Sequence, residues 1–141
     1  MKGRKMSEEL DTKKKIKVLL TRSILEGHDI GIRMIAKKCR EAGFEAVYTR
    51  FNQVEEIVKT VEEEDANVIG LSCSVGNHSY MASRLLECLK ARDLKIPLII
   101  GGVIPTRDIP KLLEMGVWRV FGPGSDPQEA VKFIFDVADK S

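Results

Sequence analysis

Short apolar runs alternate with amphipathic stretches along almost the whole chain. Ile16 to Leu20 is a β-type run. His28 to Ala42 carries Ile32, Met34, Ile35 and Ala36 at helical spacing and closes at Gly43, as a helix end does. Phe44 to Tyr48 reads as a second strand, and Val54 to Glu63 as a helix with Ile57, Val58 and Val61 on one face. Val68 to Leu71 is a third strand without polar interruption, followed by a helix from Ser79 to Ala91. Ile96 to Ile100 is a fourth strand, broken by Gly101-Gly102, and Asp108 to Glu114 a short helix ending at Gly116. Val117 to Phe121 is the fifth strand and Pro127 to Ala138 the last helix. Ahead of this pattern, residues 1–15 are almost all polar or charged and read as a tail. They lack the apolar stretch of a secretory signal.

Strict alternation of strand and helix implies an α/β fold with a parallel sheet covered on both faces. Right-handed crossovers leave few topologies. The best fit to this length is a flavodoxin-like (Rossmann-like), doubly wound, five-stranded sheet in the order 2-1-3-4-5, spanning residues 16–141 as one domain. Composition removes several classes. With 23 Lys and Arg against 21 Asp and Glu, the net charge is +2, without the basic excess of a nucleic-acid-binding surface. No apolar run approaches the ~18–20 residues of a bilayer span. Three cysteines without metal-type spacing argue against a disulfide framework or a zinc site. A cytoplasmic protein, with neither membrane nor nucleic acid as partner, is expected.

Open parallel sheets bind ligands beyond the carboxyl ends of their strands. The segments there are Arg22 to Gly31, Ser72 to His78, Gly101 to Pro105 and Gly122 to Ser125, rich in Gly, Ser and Pro. Small residues at a sheet edge let something bulky approach the backbone. A phosphoacceptor receiver needs acidic residues after the first strand and an Asp after the third, where this chain has Arg22-Ser23 and Ser72. Arg22-Ser23-Ile24-Leu25 is too bulky for a flavin phosphate loop. The G-x-G-x-x-G and G-x-S-x-G motifs are absent.

Glu26 to Gly31 resembles the D-x-H-x-x-G motif of cobalamin-binding domains. Ser72-Cys73-Ser74 stands where that family has S-x-L, separated from the first motif by residues 32–71. Gly101-Gly102 stands where it has G-G, after residues 75–100. The likeness is greatest to the small subunit or C-terminal domain of methylmalonyl-CoA mutase and related acyl-CoA mutases. Glu26 to Asp29, Ala42 to Glu45, Val68 to Ser72, Ile104-Pro105 and Phe121 to Gly124 carry it. The resemblance implies that His28 is the lower axial ligand of cobalt, replacing the cofactor's own benzimidazole. Glu26 and Arg22 take the places of the family's Asp and Lys, which orient that histidine. The displaced nucleotide tail would enter a slot lined by Ser72, Gly101, Gly102, Gly122 and Gly124, with Ser72 bonded to the benzimidazole. Gly27, Asp29, Gly31 and Ser74 complete the cofactor-binding set. The implied cofactor is adenosylcobalamin. The implied partner is a large catalytic subunit that binds the acyl-CoA, because 141 residues leave no room for such a barrel. This chain would then be the cofactor-binding subunit of an isomerase.

Three positions depart from the family pattern. Glu26 is one methylene longer than Asp, Ser74 replaces an apolar Leu, and Ile24 stands where Gly is usual. A corrinoid carrier for methyl transfer shares the three motifs but usually carries a helical cap ahead of the domain, for which residues 1–15 are too few. A non-catalytic cobalamin carrier or sensor is a further alternative, as is a small subunit of the glutamate mutase type. His78 reads as a cap or lip residue, Cys73, Cys39 and Cys88 as packing thiols, Trp118 as partly buried packing, and Glu62 to Asp65 as a solvated helix end.

Overall fold

The computed structural model describes residues 16–24, 30–73, 76–122 and 124–138. Five strands alternate with five helices in chain order: β1 (Lys17–Ser23), α1 (Ile30–Glu41), β2 (Glu45–Phe51), α2 (Glu55–Glu64), β3 (Val68–Cys73), α3 (His78–Ala91), β4 (Leu98–Gly102), α4 (Ile109–Met115), β5 (Arg119–Phe121) and α5 (Pro127–Ala138). A 3-10 turn, Thr106–Asp108, precedes α4. The strands form one parallel sheet in the order β2-β1-β3-β4-β5. This is the flavodoxin-like arrangement that the sequence pattern predicts. Among the described residues no helix is long and apolar enough to cross a membrane.

Because strand side chains alternate between faces, the sheet carries two separate cores. Leu19, Ile69, Leu71, Leu98 and Ile100 face α2, α3 and α4, where Ile57, Val61, Leu85, Leu89 and Leu112 meet them. Val18, Leu20, Val68 and Ile99 face the other way, against Ile32, Ala36 and Cys39 of α1 and Val131, Ile134 and Val137 of α5. Each fully buried Leu, Ile or Val contributes roughly 1.5–3 kcal/mol relative to exposure. Twelve of these aliphatic side chains, Leu19 and Ile134 among them, drive the helices onto both faces.

Several element ends differ from the sequence reading, each for a local reason. β1 runs on through Arg22 and Ser23, and β2 through Phe51. Their polar side chains are satisfied across the ladder. Thr49 Oγ1 donates to Thr21 Oγ1 at 3.0 Å, and Arg22 Nε donates to the Tyr48 hydroxyl at 2.8 Å. Buried polar groups with partners do not end a strand. β3 extends to Cys73, and Gly101-Gly102 belong to β4 rather than breaking it, since Ser72 pairs with Gly101 and Cys73 with Gly102. β4 starts at Leu98 because Pro97 has no N–H to give. Its carbonyl instead accepts from Ile69 N at 2.9 Å. Trp118 precedes β5 and is half exposed rather than packed in. Glu62 and Glu64 at the acidic end of α2 are not merely solvated. Glu62 pairs with Arg92, and Glu64 lies 3.5 Å from Lys17 Nζ. The helical reading of His28 and Asp29 lies outside the described residues.

Candidate functional site

The carboxyl ends of the strands bring the motif residues into register. In a parallel sheet, paired residues point to the same face. Arg22 pairs with Ser72, Ser72 with Gly101, and Gly101 with Phe121. One row deeper, Leu20 pairs with Gly70 and Gly70 with Ile99. Gly70 and Gly101 thus remove side chains from adjacent rows of the face that α1 and α5 cover. The result is a trough in that core.

A cavity of about 370 Å³ occupies the trough, within the ~300–1,000 Å³ usual for small-molecule sites. Its floor is Leu20, Gly70, Ser72, Ile99, Gly101 and Gly102, with Leu71 and Ile100 behind. One wall is α1, through Ile30, Gly31, Ile32, Met34 and Ile35. The other is Phe121, Gly122, Gly124 and Ser125 with Asp126, Pro127 and Ala130 at the start of α5. The lining is apolar except for the Ser72 and Ser125 hydroxyls and the Asp126 carboxylate. A flat, largely apolar group with a few polar atoms suits such a space.

The glycines keep the space open in different ways. A Cβ added at Gly31, Gly122 or Gly124 would meet no atom within 4 Å, and one at Gly101 would only touch the Phe121 carbonyl at 3.6 Å. These four leave room for a guest, and at Gly124 a φ of +82° favours glycine as well. Gly102 is required by the backbone itself. Its φ is +122° and a Cβ there would lie 1.9 Å from the Cys73 carbonyl oxygen. At Gly70 a Cβ would stand 2.6 Å from Leu20 Cδ2, so its absence lets the Leu20 side chain lie over β3 at the bottom of the trough. These observations fit the nucleotide tail of a cobalamin.

Six of the residues singled out in the sequence line the cavity: Gly31, Ser72, Gly101, Gly102, Gly122 and Gly124. Arg22 does not. It is buried in β1, on the face of Ser72, with its guanidinium held by Tyr48. Glu26, Gly27, His28, Asp29 and Ser74 lie outside the described residues, so the orienting link from Arg22 through Glu26 to His28 does too. What flanks the first motif is well anchored. Ile24 N donates to the Phe51 carbonyl at 2.8 Å, and Arg50 donates to the Ile24 carbonyl at 3.0 Å. On the far side, Ile30 and Gly31 form the lip of the cavity.

Two helices enclose the slot, and the sequence reading missed Gly70, Met34 and Asp126 as parts of its lining. A glycine in the middle of an apolar strand is itself a signal of close approach. Met34 sits with the apolar residues of α1 yet is exposed, so it is surplus to the core. Asp126 caps α5, with Gln128 N donating to its Oδ1 at 3.0 Å.

The remaining reactive groups are accounted for by packing. Burial pushes the Cys39 thiol up to about 12, so it stays protonated in the core behind α1. Cys73 is buried and Cys88 half-buried, as expected for packing thiols. His78 opens α3, is buried, and bonds to Asp108. Among the described residues no cluster of three or more His, Cys, Asp or Glu could hold a metal ion.

Comparison with known proteins agrees with this geometry. Residues 16–132 match the B12 binding domain family. The pivalyl-CoA mutase small subunit of Xanthobacter autotrophicus is 36% identical over 128 residues, covering 89% of this chain and 86% of that protein. The methylmalonyl-CoA mutase of Cereibacter sphaeroides is 35% identical over 123 residues, but this chain spans only 17% of its length. In structure, a cobalamin-binding protein from Desulfitobacterium hafniense shares the fold with a TM-score of 0.72 at 24% identity, over 91% of this chain and 62% of that one. With most of its length matched, the chain belongs to the B12 binding domain family.

Proposed function

We propose that this chain is the cobalamin-binding subunit of an adenosylcobalamin-dependent acyl-CoA mutase and presents the cofactor to a separate large subunit. The observation that carries this reading is the slot between the sheet and helices α1 and α5, floored by Ser72 and Gly101 in adjacent register. The likeness to a mutase small subunit of nearly the same length supports the division of labour. It also supports a cytoplasmic heteromer and a working unit that spans residues 16–141.

In this reading His28 would hold the cobalt. A neutral imidazole suits cobalt, and an acceptor on its other ring nitrogen fixes the tautomer, here Glu26. Arg22, anchored by Tyr48, is the cation behind Glu26. Gly27, Asp29 and Gly31 belong to the same cofactor-binding motif. Ser72 bonds the benzimidazole, Ser74 sits beside it, and Gly101, Gly102, Gly122 and Gly124 admit the ring. When bound, adenosylcobalamin supplies a cobalt–carbon bond whose homolysis begins a radical rearrangement. The chain's own residues bind, orient and shield; the acyl-CoA is held by the partner.

The test is spectroscopic. The chain is mixed with cobalamin, and the Co(II) form is examined by electron paramagnetic resonance. Nitrogen hyperfine coupling from a histidine should be present and should vanish in His28→Ala. No binding, or a spectrum indifferent to that substitution, defeats the reading. Co-purification should also bring down a larger chain with mutase activity; the subunit always recovered alone would count against the partner.

A further inference from the structure

The loops that leave β3 and β4 are joined twice. Next to the sheet, Val103 N donates to the Cys73 carbonyl at 3.1 Å. Farther out, His78 Nε2 lies 2.9 Å from Asp108 Oδ2, linking residues 30 positions apart. A carboxylate can only accept, so Nε2 carries the proton. His78 is 4% exposed although it opens a helix at the sheet's edge. Among the described residues its buried Nδ1 has no partner, and neither has Oδ1 of the neighbouring Asn77.

An unfilled buried acceptor weighs against stability. An apolar ring at position 78 would pack without that penalty. What the imidazole adds is one directed bond. That bond closes a frame: β3 carries Ser72 into it, β4 carries Gly101 and Gly102, and the far corners are His78 and Asp108. Neither His78 nor Asp108 lines the slot.

We propose that His78 and Asp108 are positioning residues for the slot: their bond ties the start of α3 to the turn before α4 and so steadies the segments that follow Ser72 and Gly101-Gly102, beyond the reach of the β3–β4 ladder. The role in binding rests on the slot being the cobalamin site; the fastening of the loops does not.

Two measurements on the full chain test this. Hydroxocobalamin is titrated by absorbance into wild type, His78→Phe, Asp108→Ala and His78→Gln, the last retaining a side-chain N–H for Asp108. Amide exchange across residues 76–78 and 103–108 is followed in the same proteins without cofactor. His78→Phe and Asp108→Ala should bind about tenfold more weakly and exchange about tenfold faster there, as loss of a hydrogen bond to a charged group predicts. His78→Gln should stay near wild type in both. Unchanged exchange in Asp108→Ala overturns the proposal even if affinity falls, and so does failure of His78→Gln to restore either property. Faster exchange with unchanged affinity overturns the link to binding. If His78→Phe does not fold, Asp108→Ala carries the test. If wild type itself binds no cobalamin, the proposed function fails, and exchange alone decides whether the loops are fastened.

Discussion

Gly101 and Gly102 are neighbours in sequence with opposite reasons for being glycine. At Gly102 a side chain would strike the Cys73 carbonyl, and the backbone has a positive φ; at Gly101 the backbone is ordinary strand and only the cavity objects. Valine is well suited to a strand. Gly101→Val should therefore keep the fold, with a melting midpoint within a few degrees of wild type. It should weaken cobalamin binding more than about tenfold, since overfilling a fitted space costs ~1–3 kcal/mol. An absorbance titration beside a thermal melt separates the two effects; equal affinity in the variant would mean that the ring goes elsewhere. The pair is visible in the sequence as a motif. The different duties of its members are not, because they depend on φ and on which strand lies opposite.

Helix α5 is legible at both ends, from Pro127 to Ala138. Pro127 fits the first helical turn, where its missing N–H is not needed. Asp126 fills the cap position ahead of it, bonding Gln128 N. Asp126→Ala should lower stability by about 1 kcal/mol in denaturant unfolding, the usual loss for such a cap. It should also loosen the slot wall to which Asp126 and Pro127 contribute. An unchanged midpoint would show that the cap is idle. The ends of β1 and β2 are harder to read. Arg22 and Arg50 look like loop residues in a one-dimensional pattern, yet they pair with each other across the ladder. Their polar groups find partners, Tyr48 and the Ile24 carbonyl, which lie far away in sequence. For α1 the periodicity identifies the helix but cannot divide its apolar residues. Ala36 goes to the core, Met34 to the cavity wall and Ile32 to both, a division set by where α1 meets the sheet and α5.

The topology of the whole molecule follows from the strict alternation of elements, since right-handed crossovers and two-sided burial leave little choice. The slot is only partly legible, because it is a deficit in one of two cores, created by Gly70 and Gly101 in neighbouring rows of β3 and β4, with a whole helix between them in the chain. A ligand that fills this deficit stabilises the folded state by mass action. Cobalamin at about a hundred times its dissociation constant should add ~2.7 kcal/mol, a rise of roughly 5–10 °C in melting midpoint. Protection from hydrogen exchange should concentrate in α1 and α5, the two helices that enclose the slot, and bypass α2 and α3 on the opposite face. Uniform protection, or none, would place the ligand elsewhere. The same architecture bears on what a guest would change at the surface. Ile30 is 76% exposed and Met34 41% exposed on the wall of the cavity. A ligand seated against that wall would take both side chains out of water, so occupancy would be felt at the surface as well as in the core.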